Sequence, residues 1–142
     1  MKRIIWLFSV IVIGIFVLSS CKNEDGSLLL FPDESVPPVI ATSSNTESFS
    51  YSIVGTKYTK QEVYDLKVVS DTIKYSFAAT SFTSGQMELI VELKDGTKMV
   101  SRILSGVIAA TDYRKIKSPL SKVTFNYSNF TGQFSFSINN AF

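Results

Sequence analysis

The chain has 142 residues, with 14 basic and 12 acidic side chains, one cysteine and no histidine. That composition excludes histidine-dependent triads and zinc sites and an internal disulfide, which needs two cysteines. The length suits one core and not two, and the near balance of charge leaves no electrostatic footprint for nucleic acid. Lys2 and Arg3 open the chain, followed by the almost unbroken apolar run Ile4 to Leu18 and then the small residues Ser19 and Ser20 before Cys21. The apolar run is shorter than the roughly 20 residues a spanning helix needs. A positive start, a short apolar stretch and a small-residue cleavage site predict a secretory signal peptide over residues 1–20. Its removal leaves 12 basic and 12 acidic residues, hence zero formal net charge, and takes away Trp6, the one tryptophan.

Leu18-Ser19-Ser20-Cys21 resembles the lipobox cut by the lipoprotein signal peptidase. The resemblance implies that the Cys21 sulfur receives a diacylglycerol and that the freed amine is acylated. Each buried CH₂ adds about 0.8 kcal/mol, so one acyl chain holds marginally and two or three hold firmly. Lipidation also explains a lone cysteine in an oxidising compartment, where a free thiol is a liability. Next, Lys22-Asn23-Glu24-Asp25-Gly26 resembles the acidic tract behind the lipidated cysteine of Bacteroidota lipoproteins displayed on the outer face of the outer membrane. It implies surface display; a charged tether facing the periplasm is the other reading.

Residues 21–46 carry Pro32, Pro37, Pro38 and many serines and threonines without sustained periodicity, and read as a tether. Leu28 to Phe31 is an apolar patch within it. The folded domain is expected from Glu47 to Phe142. There the dominant period is two: Phe49, Tyr51 and Ile53; Tyr64, Leu66 and Val68; Ile73, Tyr75, Phe77 and Ala79; Met87, Leu89, Val91 and Leu93; Val123, Phe125 and Tyr127; Phe134, Phe136 and Ile138. Such alternation predicts half-buried strands. Between Leu93 and Thr97, a three-residue loop pairs Val91 with Met99, Leu89 with Ser101 and Met87 with Ile103, with Gly96 at the left-handed position. A second hairpin pairs Tyr127 with Phe134, Phe125 with Phe136 and Val123 with Ile138 around Asn129-Phe130-Thr131-Gly132. Residues 104–113 stay ambiguous between a buried strand and a helical turn. The prediction is an all-β, antiparallel β-sandwich of about seven or eight strands, the number following from the spacing of the segments.

Two segments, Phe49 to Thr59 and Gly132 to Ile138, resemble the opening hairpin and the closing strand of small Bacteroidota outer-membrane lipoproteins. In the first, the strand turns at Gly55 into an aromatic-containing partner. The resemblance implies a β-sandwich and brings no activity, cofactor or catalytic residue.

Glu88 and Glu92 share one strand face, but four residues span roughly 13 Å, beyond the reach of a glycosidase pair. No calcium loop or phosphate loop appears. Aromatics give the candidate ligand contacts: Phe82 and Phe130 in polar loops, and Tyr58 and Tyr113 as further rings expected at the surface, since such faces stack on sugars or pack on proteins. Asp71-Thr72-Ile73 resembles the site at which Bacteroidota attach O-glycans, which would place a sugar on Thr72. The expected function is that of a membrane-anchored, non-enzymatic interaction or structural module with a protein partner at the cell surface. The alternative is a module that binds a glycan or a small apolar ligand through loop aromatics.

Overall fold

The computed structural model describes residues 37–141, so the predicted signal peptide, Cys21, the acidic tract and the patch at 28–31 lie outside the described residues. Among the described residues six strands form: β1 (Val39–Ser44), β2 (Ser48–Asp65), β3 (Thr72–Leu93), β4 (Lys98–Leu104), β5 (Ile108–Lys115) and β6 (Leu120–Asn140). Every pairing is antiparallel, in the order β1-β2-β6-β3-β4, with β5 on β3. The all-β antiparallel sandwich predicted from alternation is what forms.

Six strands stand where about seven or eight were expected because β2, β3 and β6 are long and bent. Each contributes to both layers. One layer has five strands: β1, the first half of β2, the second half of β6, the first half of β3, and β5. The other has four: the second half of β2, the first half of β6, the second half of β3, and β4. The layers face each other through aromatic rings. Phe125 of the four-stranded layer stacks on Tyr51 at 4.2 Å and meets Phe134 and Phe136 at 5.7 and 5.8 Å, all three from the five-stranded layer.

The three bends lie side by side. Lys57, Ser81 and Asn129 each take a positive φ near 50°, and the pairing register slips around each of them. Extra residues on one strand of a pair bend it and sharpen its twist, the action of a β-bulge. Threonine hydroxyls take over backbone groups that leave the ladder: the Lys57 N–H donates to Thr131 Oγ1 at 2.9 Å and the Asn129 N–H to Thr59 Oγ1 at 2.8 Å. Gly85 completes the corner, since a Cβ there would lie 2.2 Å from the Asn129 carbonyl oxygen.

Two predicted turns are therefore corrected. Asn129-Phe130-Thr131-Gly132 is a bend within continuous β6, so Tyr127 does not pair with Phe134, Phe125 with Phe136, or Val123 with Ile138. Phe125 lies between Glu62 and Leu89, and Phe136 between Tyr51 and Phe77. Gly55 likewise sits inside β2, opposite Gly132, and does not turn the chain.

The β3–β4 hairpin is half as predicted. Leu93 donates to the Thr97 carbonyl at 2.9 Å, Gly96 takes φ +83°, and the Asp95 carboxylate accepts the Thr97 N–H. A register shift between Val91 and Glu92 then leaves Met99 unpaired, so Val91 meets Val100, Leu89 meets Arg102 and Met87 meets Leu104. Val100 and Leu104 are buried, whereas Ile103 is 69% exposed. The bulge turns Val100 and Leu104 inward in place of Met99 and Ile103, a change of face that the regular register excludes.

At the other end, β1 pairs with β2 from Val39 opposite Val54 to Ser44 opposite Phe49, so the sheet begins inside the stretch read as tether, before Glu47. Asn45 closes this turn by accepting the Glu47 and Ser48 N–H groups at 2.8 and 2.7 Å. Residues 108–115 form an exposed edge strand, neither a buried strand nor a helical turn.

Gly85 and Gly96 share a positive φ but not their surroundings: a Cβ at Gly96 meets nothing within 4 Å. Gly96→Ala should cost about 1 kcal/mol of backbone strain, whereas Gly85→Ala should cost about 3 kcal/mol or more because the corner must open. Denaturant unfolding of the two variants beside the wild type measures the difference; equal losses would show that the corner contact is relaxed at no cost.

Candidate functional site

The five-stranded layer alternates strictly. In its three inner strands the inward residues are apolar and mostly large, and the outward residues at the middle of the face are small. Cross-strand register lines them up in rows. One row reads Ser43, Ser50, Ser137, Ser76 and Thr111, and the next reads Ala41, Ser52, Ser135, Ala78 and Ala109. These ten residues pave a concavity of about 640 Å³ that crosses all five strands. With four interstrand spacings it is roughly 19 Å long, and its two rows lie roughly 7 Å apart.

The chemistry of this trench is narrow. No floor residue is charged, seven carry hydroxyls, and Ser76 and Ser137 share a hydrogen bond at 2.8 Å. A hydroxyl donates once and accepts twice, so the floor offers both signs of hydrogen bond to a neutral polar ligand. The bordering rows differ. On one side run Ser48, Asn139, Lys74 and Tyr113, with the Lys74 ammonium 5.5 Å from the Tyr113 ring centre. On the other, Val39 lies opposite Val54, both exposed, with Gln133 and Thr80 beyond.

Of the four candidate aromatics, only Tyr113 reaches this face, 61% exposed. Phe130 is fully buried in β6 and meets Phe82 edge-on at 5.5 Å. Phe82 is partly buried against the core, and Tyr58 pairs with Phe130 across the bend and packs on Tyr127 at 5.2 Å. These three rings close the corner of the sandwich; they are not a set of exposed loop contacts. Thr72 is half-buried at the start of β3, its hydroxyl donating to Asp71 at 3.3 Å. Glu88 accepts from Asn126 and Glu92 pairs with Lys122, so these carboxylates are engaged on separate partners.

A second polar cluster lies at the edge of the four-stranded layer. Glu62 accepts the Tyr58 hydroxyl at 2.6 Å and the Tyr64 hydroxyl at 3.4 Å, and pairs with Lys60 at 2.9 Å. Nearby, the Tyr127 hydroxyl donates to Tyr51 at 3.1 Å. Burial raises the phenol pKa of Tyr51, Tyr58, Tyr64 and Tyr127. Burial also opposes the charge of Glu62, but hydrogen bonds from Tyr58 and Lys60 more than offset it and leave its pKa below the ordinary 4.5. The ionised Glu62 therefore stabilises the fold fully above pH 4.5, and that contribution disappears as pH falls through the lowered value. Glu62→Gln should be less stable at neutral pH by about 1–2 kcal/mol and should show a shallower loss below pH 4.5. Thermal melts of both proteins across that range measure it; parallel acid profiles would remove Glu62 from the account.

No protein-family model and no curated protein sequence matches the chain. Solved structures match at low similarity. A Bacillus endospore appendage protein, from a family of disulfide-linked pili, is 12% identical with a TM-score of 0.45, covering 84% of this chain and 100% of its own. The C-terminal carbohydrate-binding module, CBM6, of a laminarinase from Zobellia galactanivorans is 12% identical with a TM-score of 0.41, over 75% and 94%. A module from Cellvibrio mixtus lichenase 5A, in complex with cellotriose, is 10% identical with a TM-score of 0.41, over 77% and 91%.

Proposed function

We propose that this chain is an exported lipoprotein, anchored through acylated Cys21 at the outer membrane and displayed on the cell surface, and that its sandwich is a non-catalytic module binding a neutral glycan. The trench carries the binding reading. Hydroxyl-bearing floor residues without charge suit a ligand that is itself a dense array of neutral hydroxyls, and small side chains lose little rotamer freedom on binding. The trench is open at both edges of its layer, so it accepts an internal stretch of a linear chain as readily as an end. Tyr113 supplies one aromatic face for a sugar ring at its border, and Val39 and Val54 supply apolar surface opposite. Loop aromatics have no part in this site. The absence of histidine from the sequence and the partnered state of Glu88 and Glu92 support a binding role over a hydrolytic one.

Ser52 and Ser135 project outward from adjacent strands, so tryptophan at either position fills the floor and leaves the core alone. On an array of neutral polysaccharides, the wild type should be retained on at least one glycan, and Ser52→Trp or Ser135→Trp should abolish that retention. Tyr113→Ala should weaken it by about two- to tenfold, the worth of one aromatic contact. Loss of the glycan reading follows if nothing is retained, or if both tryptophan variants bind as the wild type does.

The anchor is tested separately. Cys21→Ser should release the protein from membranes or block its processing, as read by fractionation and by the mass of an attached lipid. A processed, membrane-bound Cys21→Ser protein would overturn the anchor.

A further inference from the structure

A two-layer sandwich has four edges, and unpaired edge strands invite pairing with other chains. Three of these edges carry visible obstacles. Pro37 and Pro38 precede β1. A bulge at Met99 distorts β4. Lys60 and Glu62 share a face of the β2 edge with the core-packed Tyr58 and Tyr64. Among the described residues the fourth edge, β5, pairs with β3 on one side only.

Backbone geometry identifies the free groups of β5. The Ile116 N–H donates to the Asp71 carbonyl at 2.8 Å, in the register that continues Lys115 opposite Thr72. Hydrogen-bonded pairs recur every second residue in an antiparallel ladder. Arg114, Asp112, Ala110 and Ile108 thus bond to β3, while Tyr113, Thr111 and Ala109 turn their N–H and C=O groups outward. Of these, Tyr113 is occupied: its N–H donates to Asp112 Oδ1 at 2.8 Å. The same carboxylate is held by Arg114 Nε and by the Tyr75 hydroxyl, both on Oδ2, at 2.8 and 3.2 Å.

We infer that Asp112 is an edge stop, and that the interface it blocks is β5 against β5 of a second copy of this chain. Two β5 strands related by a two-fold axis at Thr111 place Thr111 opposite Thr111 and Ala109 opposite Tyr113, the pairing that uses the outward groups. In that register Asp112 meets Ala110, Arg114 meets Ile108 and Lys115 meets Val107, so no like charges oppose each other. The exposed Val107 and Ile108 gain the aliphatic stems of Lys115 and Arg114 as cover. The pairing needs the Tyr113 N–H for Ala109 of the second copy, and the Asp112 carboxylate holds it. Because Thr111 and Ala109 also belong to the trench floor, the pairing would join two trenches end to end. The inference stands on the edge geometry and is independent of any glycan.

The test compares purified full-length chains in detergent by sedimentation velocity, with folding followed by circular dichroism. The wild type should be monomeric and Asp112→Ala should double in mass. Adding Thr111→Pro to Asp112→Ala should restore the monomer, since proline removes an outward N–H without touching the β3 ladder. A folded Asp112→Ala protein that stays monomeric, or a dimer indifferent to Thr111→Pro, overturns the inference. Amide exchange in the wild type gives a reading that needs no variant: the Tyr113 N–H should exchange about tenfold more slowly than that of Thr111. Equal rates would show that the stop is not made.

Discussion

Everything in this sandwich depends on β6 being shared. It is hydrogen-bonded to β2 on one side and β3 on the other along nearly its whole length, and it crosses from one layer to the other without a break. A strand in that position must change the direction of its inward face at the corner, and its two neighbours must do so at the same height. The positive φ values at Lys57, Ser81 and Asn129 and the glycine at position 85 meet that demand. Once the three strands bend together, Phe125 is delivered onto Tyr51, Phe134 and Phe136, and the outer surface of the five-stranded layer becomes a hollow.

Much of this was legible from the residues alone. Period-two alternation correctly assigned Phe49, Tyr51, Ile53, Ile73, Tyr75, Phe77, Met87, Leu89, Val91, Phe125, Phe134, Phe136 and Ile138 to the core. It could not say whether Asn129 to Gly132 turns the chain back or bends it onward. Both need positive φ and polar side chains, so the local chemistry is the same. The choice lies in whether the flanking segments pair with each other or with β2 and β3, a matter of contacts distant in sequence. The β4 register failed for a related reason. Met99 and Ile103 on one face compete with Val100 and Leu104 on the other, and a single bulge passes burial from the first pair to the second.

The trench was the least readable feature. Ser50, Ser52, Ser76, Ala78, Ser135 and Ser137 each look like the solvated half of an alternating strand. Their shared smallness becomes a surface only when β2, β6 and β3 lie side by side. The aromatics were the louder signal and mostly pointed elsewhere, because a ring flanked by serine, threonine and glycine looks exposed. At the corner those polar neighbours serve the bend while Phe82 and Phe130 fill the space beneath it. Tyr113 alone joins the two readings.

The position of β6 in the chain also governs when this fold can exist. The strand that lies inside both layers, β6 (Leu120–Asn140), is the last of the described strands, and neither layer has β2 joined to β3 until it arrives. β1 and β2 alone form a hairpin with no core to lie on, and β3 with β4 and β5 lacks the strand that joins it to β2. Such non-local pairing folds slowly and late. Until β6 is made, the earlier strands lack the partner that joins β2 to β3 in either layer, so the sandwich cannot close. Under the export proposed above, strands in this order would guard the chain against closing before it had crossed a membrane.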